Sequence, residues 1–137
     1  MSDLRESVKG IVHEPTQVCD DGGIDLTVTE IYTIEAPGRV DFGGGELEPA
    51  ALDPHPRVWR NEDDDYQWWH LEAGTYLIEY NESLSDTALL QPRTEILERG
   101  ATHPTVRIAQ LPRVPLTVGE GGLRLKANAR VSTLRPE

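Results

Sequence analysis

The chain has one cysteine, one methionine, one phenylalanine and only two lysines, Lys9 and Lys126, among its 137 residues. Cys19 has no partner within the chain, and no C-x-x-C or Cys/His ladder accompanies it. A disulfide framework and a structural zinc finger are therefore excluded. Apolar runs are only a few residues long, far below the roughly 20 that a membrane-spanning helix needs, and the opening MSDLRESVKG carries no signal-peptide core. These absences lead to the expectation of a soluble, cytoplasmic chain with no membrane partner. Positive charge is also scarce: 13 Lys and Arg stand against 24 Asp and Glu, a net charge of −11. A surface of that sign repels phosphate backbones, so nucleic acid is not an expected partner unless arginines gather on one face. Small anionic ligands stay open.

What the chain does have is arginine, which supplies every basic residue except those two lysines, with acids spread along the whole length. That pattern suits a salt-rich cytoplasm, because salt shortens the range of self-repulsion to about 3 Å at 1 M, against about 30 Å at 0.01 M. An ordinary acidic surface is the plain alternative.

The 12 Gly and 10 Pro are too many for a helical bundle and suit short strands joined by turns, so the chain reads as a single all-β domain over residues 1–137. The run IDLTVTEIYTIE from Ile24 alternates, with Ile24, Leu26, Val28, Tyr32 and Ile34 on one face and Asp25, Thr27, Thr29, Thr33 and Glu35 mostly on the other. It predicts a half-buried strand pair, followed by a short strand over 39–42 between Pro37-Gly38 and Gly43-Gly44-Gly45. Residues 46–65 are acidic and contain Pro49, Pro54 and Pro56 without an apolar period, which predicts a long loop. Strands are expected from Trp68 and over 75–82, 106–111, 115–118, 123–125 and 129–134. One short helix is expected over 93–99, after Pro92 and closed by Gly100 at its C′ position.

Three segments, in this order, resemble the dCTP deaminase and dUTPase family, and the likeness spans most of the chain. Gly23-Ile24-Asp25-Leu26 is similar to the family's early G-x-D-L element. LEAGTYLIEYNESL from Leu71 is similar to its L-x-P-G-x-(F/Y)-x-L-x-x-(T/N)-x-E strand pair. LRLKANARVSTL from Leu123 follows its closing L-x-L-x-P-G-M-x-I-x-Q-L, with Asn128 at the turn glycine, a residue that tolerates the left-handed conformation. Between the last two, Pro92-Arg93-Thr94-Glu95-Ile96-Leu97-Glu98-Arg99-Gly100 stands where the family has G-R-S-S-L-x-R-x-G. Glu95 replaces the second Ser, and Glu98 occupies the place of a deaminase Arg.

The resemblance implies a dUTPase-like distorted β-barrel or jelly-roll sandwich, a homotrimer with sites shared between chains, and a pyrimidine deoxynucleoside triphosphate as the small-molecule partner, accompanied by Mg²⁺. It implies that Asp25 helps organise the site and that Arg93, Thr94 and Glu95 lie at the triphosphate, since helix starts attract anions. Attack on the substrate by water needs a carboxylate within hydrogen-bond reach. The family's carboxylate-bearing segment is replaced here by HPTVRIAQLPRVPLTVGEGG from His103, in which Thr117 falls near the deaminase Glu and Glu120 is the sole carboxylate. The base is then Glu120, Glu95 or a carboxylate from a neighbouring subunit. The alternative is a non-catalytic trimeric member that binds a nucleotide or serves as an interaction module, because the folding elements match better than the reactive ones.

Plain readings stand beside each site residue. Against the site reading, Asp25 also reads as a polar residue on the solvent face of a strand, and Arg93 as a surface arginine paired with Glu95 or Glu98. His103 is a general base or a solvated loop histidine. His13-Glu14, His55 and His70-x-Glu72 lack a zinc spacing, so no protein-held metal is expected. Asp63-Asp64-Asp65 is a solvated loop or a weak cation site, and Trp59, Tyr66, Trp68 and Trp69 are core, interface or a base-stacking surface. The charge analysis carries its own test: dialysis from molar KCl into low-salt buffer should lower the melting temperature, and a melting temperature that does not move would remove the salt-adapted reading.

Overall fold

Alternating Ile, Leu, Val and Thr favour extended backbone, and residues 24–36 form one continuous strand rather than a strand pair. The computed structural model describes residues 3–137. In chain order the elements are α1 (Leu4–Ser7), β1 (Val8–Lys9), α2 (Glu14–Gln17), β2 (Ile24–Ala36), β3 (Ala51–Pro54), β4 (Trp68–Leu71), β5 (Gly74–Tyr80), β6 (Ser83–Leu84), β7 (Ala88–Pro92), α3 (Thr94–Glu98), β8 (Ala101–Thr102), β9 (Val106–Ile108), β10 (Val114–Val118), β11 (Leu123–Lys126) and β12 (Arg130–Arg135). The chain is all-β with short helices, as expected, and α3 lies within the expected 93–99. Two further one-turn helices, α1 and α2, were not expected. Each is only four residues long, too short for an apolar period to announce it.

The main sheet is antiparallel and curls in the order β8, β10, β5, β2, β12, β7, β9, with β3 added to the far end of β2. Two small ladders, β1 with β6 and β4 with β11, complete the wall. Strand β2 organises it by meeting three partners along its length: β12 beside Ile24–Thr27, β5 beside Val28–Tyr32, and β3 from Tyr32 to Ala36. Leu26, Val28, Ile31, Trp69, Ile78, Leu90, Leu116, Val131 and Leu134 fill the core. Along β10, Val114, Leu116 and Val118 point inward while Pro115 and Thr117 point out.

The expected two-faced pattern of β2 is corrected in two places. From Ile24 to Val28 both faces are buried, so Asp25 and Thr27 are interior residues. An irregularity in the pairing with β5 between Val28 and Glu30 then shifts the facing by one residue. As a result Ile31 is buried while Ile34 is exposed. The expected loop over 46–65 contains β3, whose backbone partners come from the end of β2. The expected strand over 39–42 is only an isolated bridge between Arg39 and Glu48. Asp64 is not solvated: its carboxylate accepts the amides of Arg60 at 2.9 Å and Asn61 at 3.1 Å, bracing the turn. The expected positive-φ turns hold. Asn128 has φ 68°, and its side-chain oxygen accepts Asn81 Nδ2 at 2.8 Å; Gly100, closing α3, has φ 85°.

His103 is not a solvated loop residue but is buried against β12. Its Nδ1 lies 2.9 Å from the Pro104 carbonyl, which can only accept, so Nδ1 carries the proton. Nε2 then accepts from Ser132 Oγ at 2.7 Å, and Ser132 in turn accepts from the Tyr80 hydroxyl at 2.6 Å. Burial pushes the Tyr80 hydroxyl up and holds His103 below the ordinary histidine range. The unfolded chain therefore binds the extra proton first on acidification, and stability falls as the pH drops below the unfolded value of about 6.5. Between about pH 7 and about pH 5 the wild type should lose more of its melting temperature than His103→Gln, whereas parallel losses in the two proteins would contradict this account.

Candidate functional site

Strands β2, β7 and β12 and the start of α3 enclose a cleft of about 220 Å³ lined by Cys19, Asp25, Gln91, Pro92, Arg93, Thr94, Glu95, Thr133 and Arg135. Its floor is the Asp25 carboxylate. Lying on β2 where both faces are covered, Asp25 is 5% exposed, and an ionised group there needs compensation. Thr133 Oγ1 donates to its Oδ1 at 2.8 Å, and its Oδ2 meets Arg130 Nη1 at 3.0 Å and Arg93 Nε at 3.4 Å. The reading of Asp25 as a polar residue on an outer strand face is thus overturned. It is a buried carboxyl group whose partners join β12 and the α3 start.

Arg93 is the residue before the helix and is fixed at both ends. Its amide donates to the Val131 carbonyl at 3.0 Å, and its Nη1 donates to the Arg130 carbonyl at 3.2 Å. Its Nη2 is paired with the Glu95 carboxylate. Both sequence readings of Arg93 are thus present in one geometry: it faces a cleft, and Glu95 is its counter-ion. The first intrahelical bonds run from Ile96 and Leu97 back to the Arg93 carbonyl, so the Thr94 and Glu95 amides have no intrahelical acceptor. Glu98 is exposed.

Support comes from behind β2. Gln17 Nε2 donates to the Asp25 carbonyl at 2.9 Å and to the buried Glu82 carboxylate at 2.8 Å. Glu82 also accepts the Thr27 amide at 2.9 Å and the Thr27 hydroxyl at 2.6 Å, so it is satisfied by neutral donors. Cys19 Sγ is 3.9 Å from Asp25 Oδ1. Burial, then the charges of Asp25 and Asp21, push its thiol up, so it stays protonated and is a poor nucleophile.

Asp25, Arg93, Thr94 and Glu95 are therefore brought together, and Glu120 is not. Glu120 lines a separate depression with His70, Glu72 and Arg124 on the β4–β11 side. Thr117 is exposed on β10, 3.3 Å from Thr75 across the ladder. None of the four sequence-singled aromatics lines the cleft. Trp69 is core, Trp68 lies under the Arg60 guanidinium at 4.5 Å, and Trp59 and Tyr66 are exposed. Among the cleft residues that sequence reasoning missed are Thr133 and Arg135. Their signal was available: they sit two apart on β12, and Thr133 is the register partner of Asp25.

Fold and cleft together define an antiparallel β-protein that presents arginines around a buried carboxylate at the start of a short helix. No family model matches the chain. It is 33% identical over 121 residues to a probable deoxyuridine 5'-triphosphate nucleotidohydrolase of Methanosarcina acetivorans, covering 82% of this chain and 67% of that protein. A protein of the same name from Methanosarcina mazei is 29% identical over 136 residues, covering 93% and 75%. In fold, the chain is similar to the crystal structure of 2'-deoxycytidine 5'-triphosphate deaminase from Agrobacterium tumefaciens, with a TM-score of 0.56 at 14% identity, over 95% of this chain but only 42% of that one. The chain belongs to the dCTP deaminase/dUTPase family, and its fold is the dUTPase-like one that the sequence resemblance implies.

Removing the floor should be costly. Breaking a fully buried ion pair costs about 3–5 kcal/mol, and because Arg93 and Arg130 keep part of their surface in water, Asp25→Ala should cost less, on the order of 2–3 kcal/mol. Urea unfolding checks this: the midpoint should fall with the m-value unchanged, and a loss below about 0.5 kcal/mol would mean that Asp25 does not hold the cleft together.

Proposed function

We infer that the chain acts in pyrimidine deoxynucleoside triphosphate metabolism as a dUTP diphosphatase, converting dUTP and water to dUMP and pyrophosphate. The observation that supports this most directly is the convergence of Asp25 with Arg93 and Thr94. These residues belong to two segments far apart in sequence, both resembling the family's site segments, and they line one cleft. The curated relatives named for dUTP hydrolysis favour the diphosphatase over the deaminase.

In this reading Arg93 and the amides beginning α3 hold phosphate oxygens, and Thr94 adds its hydroxyl. Asp25 keeps the Arg93 guanidinium at the cleft. Its oxygens are already engaged by Thr133, Arg130 and Arg93, so it positions rather than abstracts a proton. In this reading Mg²⁺ arrives on the nucleotide, held by its phosphate oxygens. Glu95, exposed at the cleft mouth, is the carboxylate available to it once released from Arg93. Bound Mg²⁺ supplies charge neutralisation at the phosphates. Hydrolysis breaks the anhydride between the α- and β-phosphates, and the water proton needs a base that the cleft of one chain does not offer free. Glu120 takes this role across a subunit boundary in a homotrimer, since within its own chain it lines a different surface.

Incubation with dUTP and dCTP in molar KCl and Mg²⁺ should release pyrophosphate from dUTP and no ammonia from dCTP. Arg93→Ala should lower kcat/KM on the order of 100-fold, and Glu120→Gln by a similar factor. Each variant alone should keep only about a hundredth of the activity, and mixing them after unfolding and refolding together should raise it well above either. Absence of pyrophosphate from dUTP would end the diphosphatase reading, and failure of the mixture to recover would end the shared site.

A further inference from the structure

Arg135 closes β12 two residues beyond Thr133, so it lies on the same side of the strand as the residue bonded to Asp25. It lines the cleft with Arg93, and its guanidinium is partly open to water. Its ion-pair partner is Asp21, in the turn before β2. The backbone makes room for this side chain. A Cβ at Gly23 would stand 2.9 Å from Arg135 Nη1 and 3.2 Å from Asp21 Oδ1, so any larger residue would push the guanidinium aside. Asp21 does not depend on Arg135 for satisfaction. Its Oδ1 accepts the Gly23 amide at 3.0 Å, and its carboxyl is held low first by that amide and then by Arg135. The guanidinium can therefore change partners without leaving Asp21 bare.

Two guanidiniums facing one cleft repel each other unless anions lie between or beside them. Here the chain supplies the anions itself: Glu95 at the mouth for Arg93, Asp21 at the rim for Arg135, and Asp25 beneath. We propose that Arg135 is a second polyphosphate-binding side chain of this cleft, and that Glu95 and Asp21 are resident counter-ions which ligand oxygens replace. The proposal rests on the polyphosphate reading above and extends it to phosphate number. A triphosphate can engage both arginines at once and displace both carboxylates, whereas a monophosphate satisfies one. Arg135 then discriminates triphosphate from monophosphate and gives the product a shorter stay than the substrate.

Calorimetric titration at fixed salt with inorganic tripolyphosphate, with an α,β-imido analogue of dUTP and with dUMP tests this. Arg135→Ala should weaken tripolyphosphate and the analogue by about ten-fold and dUMP by about two-fold or less, while Arg135→Lys, keeping the charge without the fork, falls between. Asp21→Asn should tighten the triphosphates by about two- to three-fold by releasing Arg135. Equal loss for dUMP and the triphosphates, or weakening of both by Asp21→Asn as by Arg135→Ala, would mark the Asp21–Arg135 pair as structural and overturn the proposal. Wild-type affinity in Arg135→Ala beside lost affinity in Arg93→Ala would overturn it too, leaving the diphosphatase reading intact. If wild type takes up neither tripolyphosphate nor the analogue, that reading falls as well.

Discussion

One carboxylate placed inside the protein sets the rest of the arrangement. Asp25 is ionisable, buried and bound from above by a hydroxyl and two guanidiniums that arrive from β12 and from the residue before α3. Water cannot solvate it, so those donors must be present whenever the chain is folded. That requirement ties the first strand of the sheet to the last and pins the beginning of the helix to both. The neighbouring buried carboxylate, Glu82, solves the same difficulty differently. It uses a backbone amide, a hydroxyl and an amide side chain, and needs no cation. The two solutions stand side by side on β2, one carboxylate met by guanidiniums and a hydroxyl, the other by neutral donors alone.

The surface ion pairs differ in kind from this. Arg5 with Glu14, Arg113 with Glu79 and Arg107 with Glu137 lie at the periphery with much of their side chains in water. Such pairs contribute roughly 0–1 kcal/mol each and exchange readily. The Glu95–Arg93 contact sits between these extremes, and Asp21–Arg135, as open to water as Arg5–Glu14, differs from the surface pairs only in that its arginine lines the cleft. Groups so placed can trade partners at low cost, which a binding site for anions requires in a chain carrying −11.

Much of the fold was legible because strand periodicity and turn residues act locally. The alternation in β5 and β10, the glycine closing α3 and the left-handed Asn128 all correspond to residues whose own chemistry selects the conformation. What was not legible depends on partners elsewhere. Strand β3 has a proline and an aspartate and looks like loop until the end of β2 is laid beside it. The facing of Ile31 and Ile34 follows from an irregularity opposite β5, which no alternation within β2 reports. At the site, Asp25, Arg93 and Thr94 were found through resemblance to short motifs. Thr133 and Arg135 lie in a segment matched for its hairpin and were passed over, although their spacing on β12 encodes a shared face. His103, read from sequence as a loop residue, is buried and meets Ser132, which β12 brings from far along the chain.

Strand β2 carries a further consequence for how the molecule is made. Its first residues pair with β12, which lies some hundred positions later in the sequence, and its buried aspartate gains Arg93 first and its remaining partners, Arg130 and Thr133, only with that stretch. A nascent chain leaving the ribosome therefore holds Leu26 without its β12 neighbour for most of its synthesis. Such non-local pairing closes late and slowly. The sheet's longest strand is then the first to be translated among its principal partners and the last to be completed.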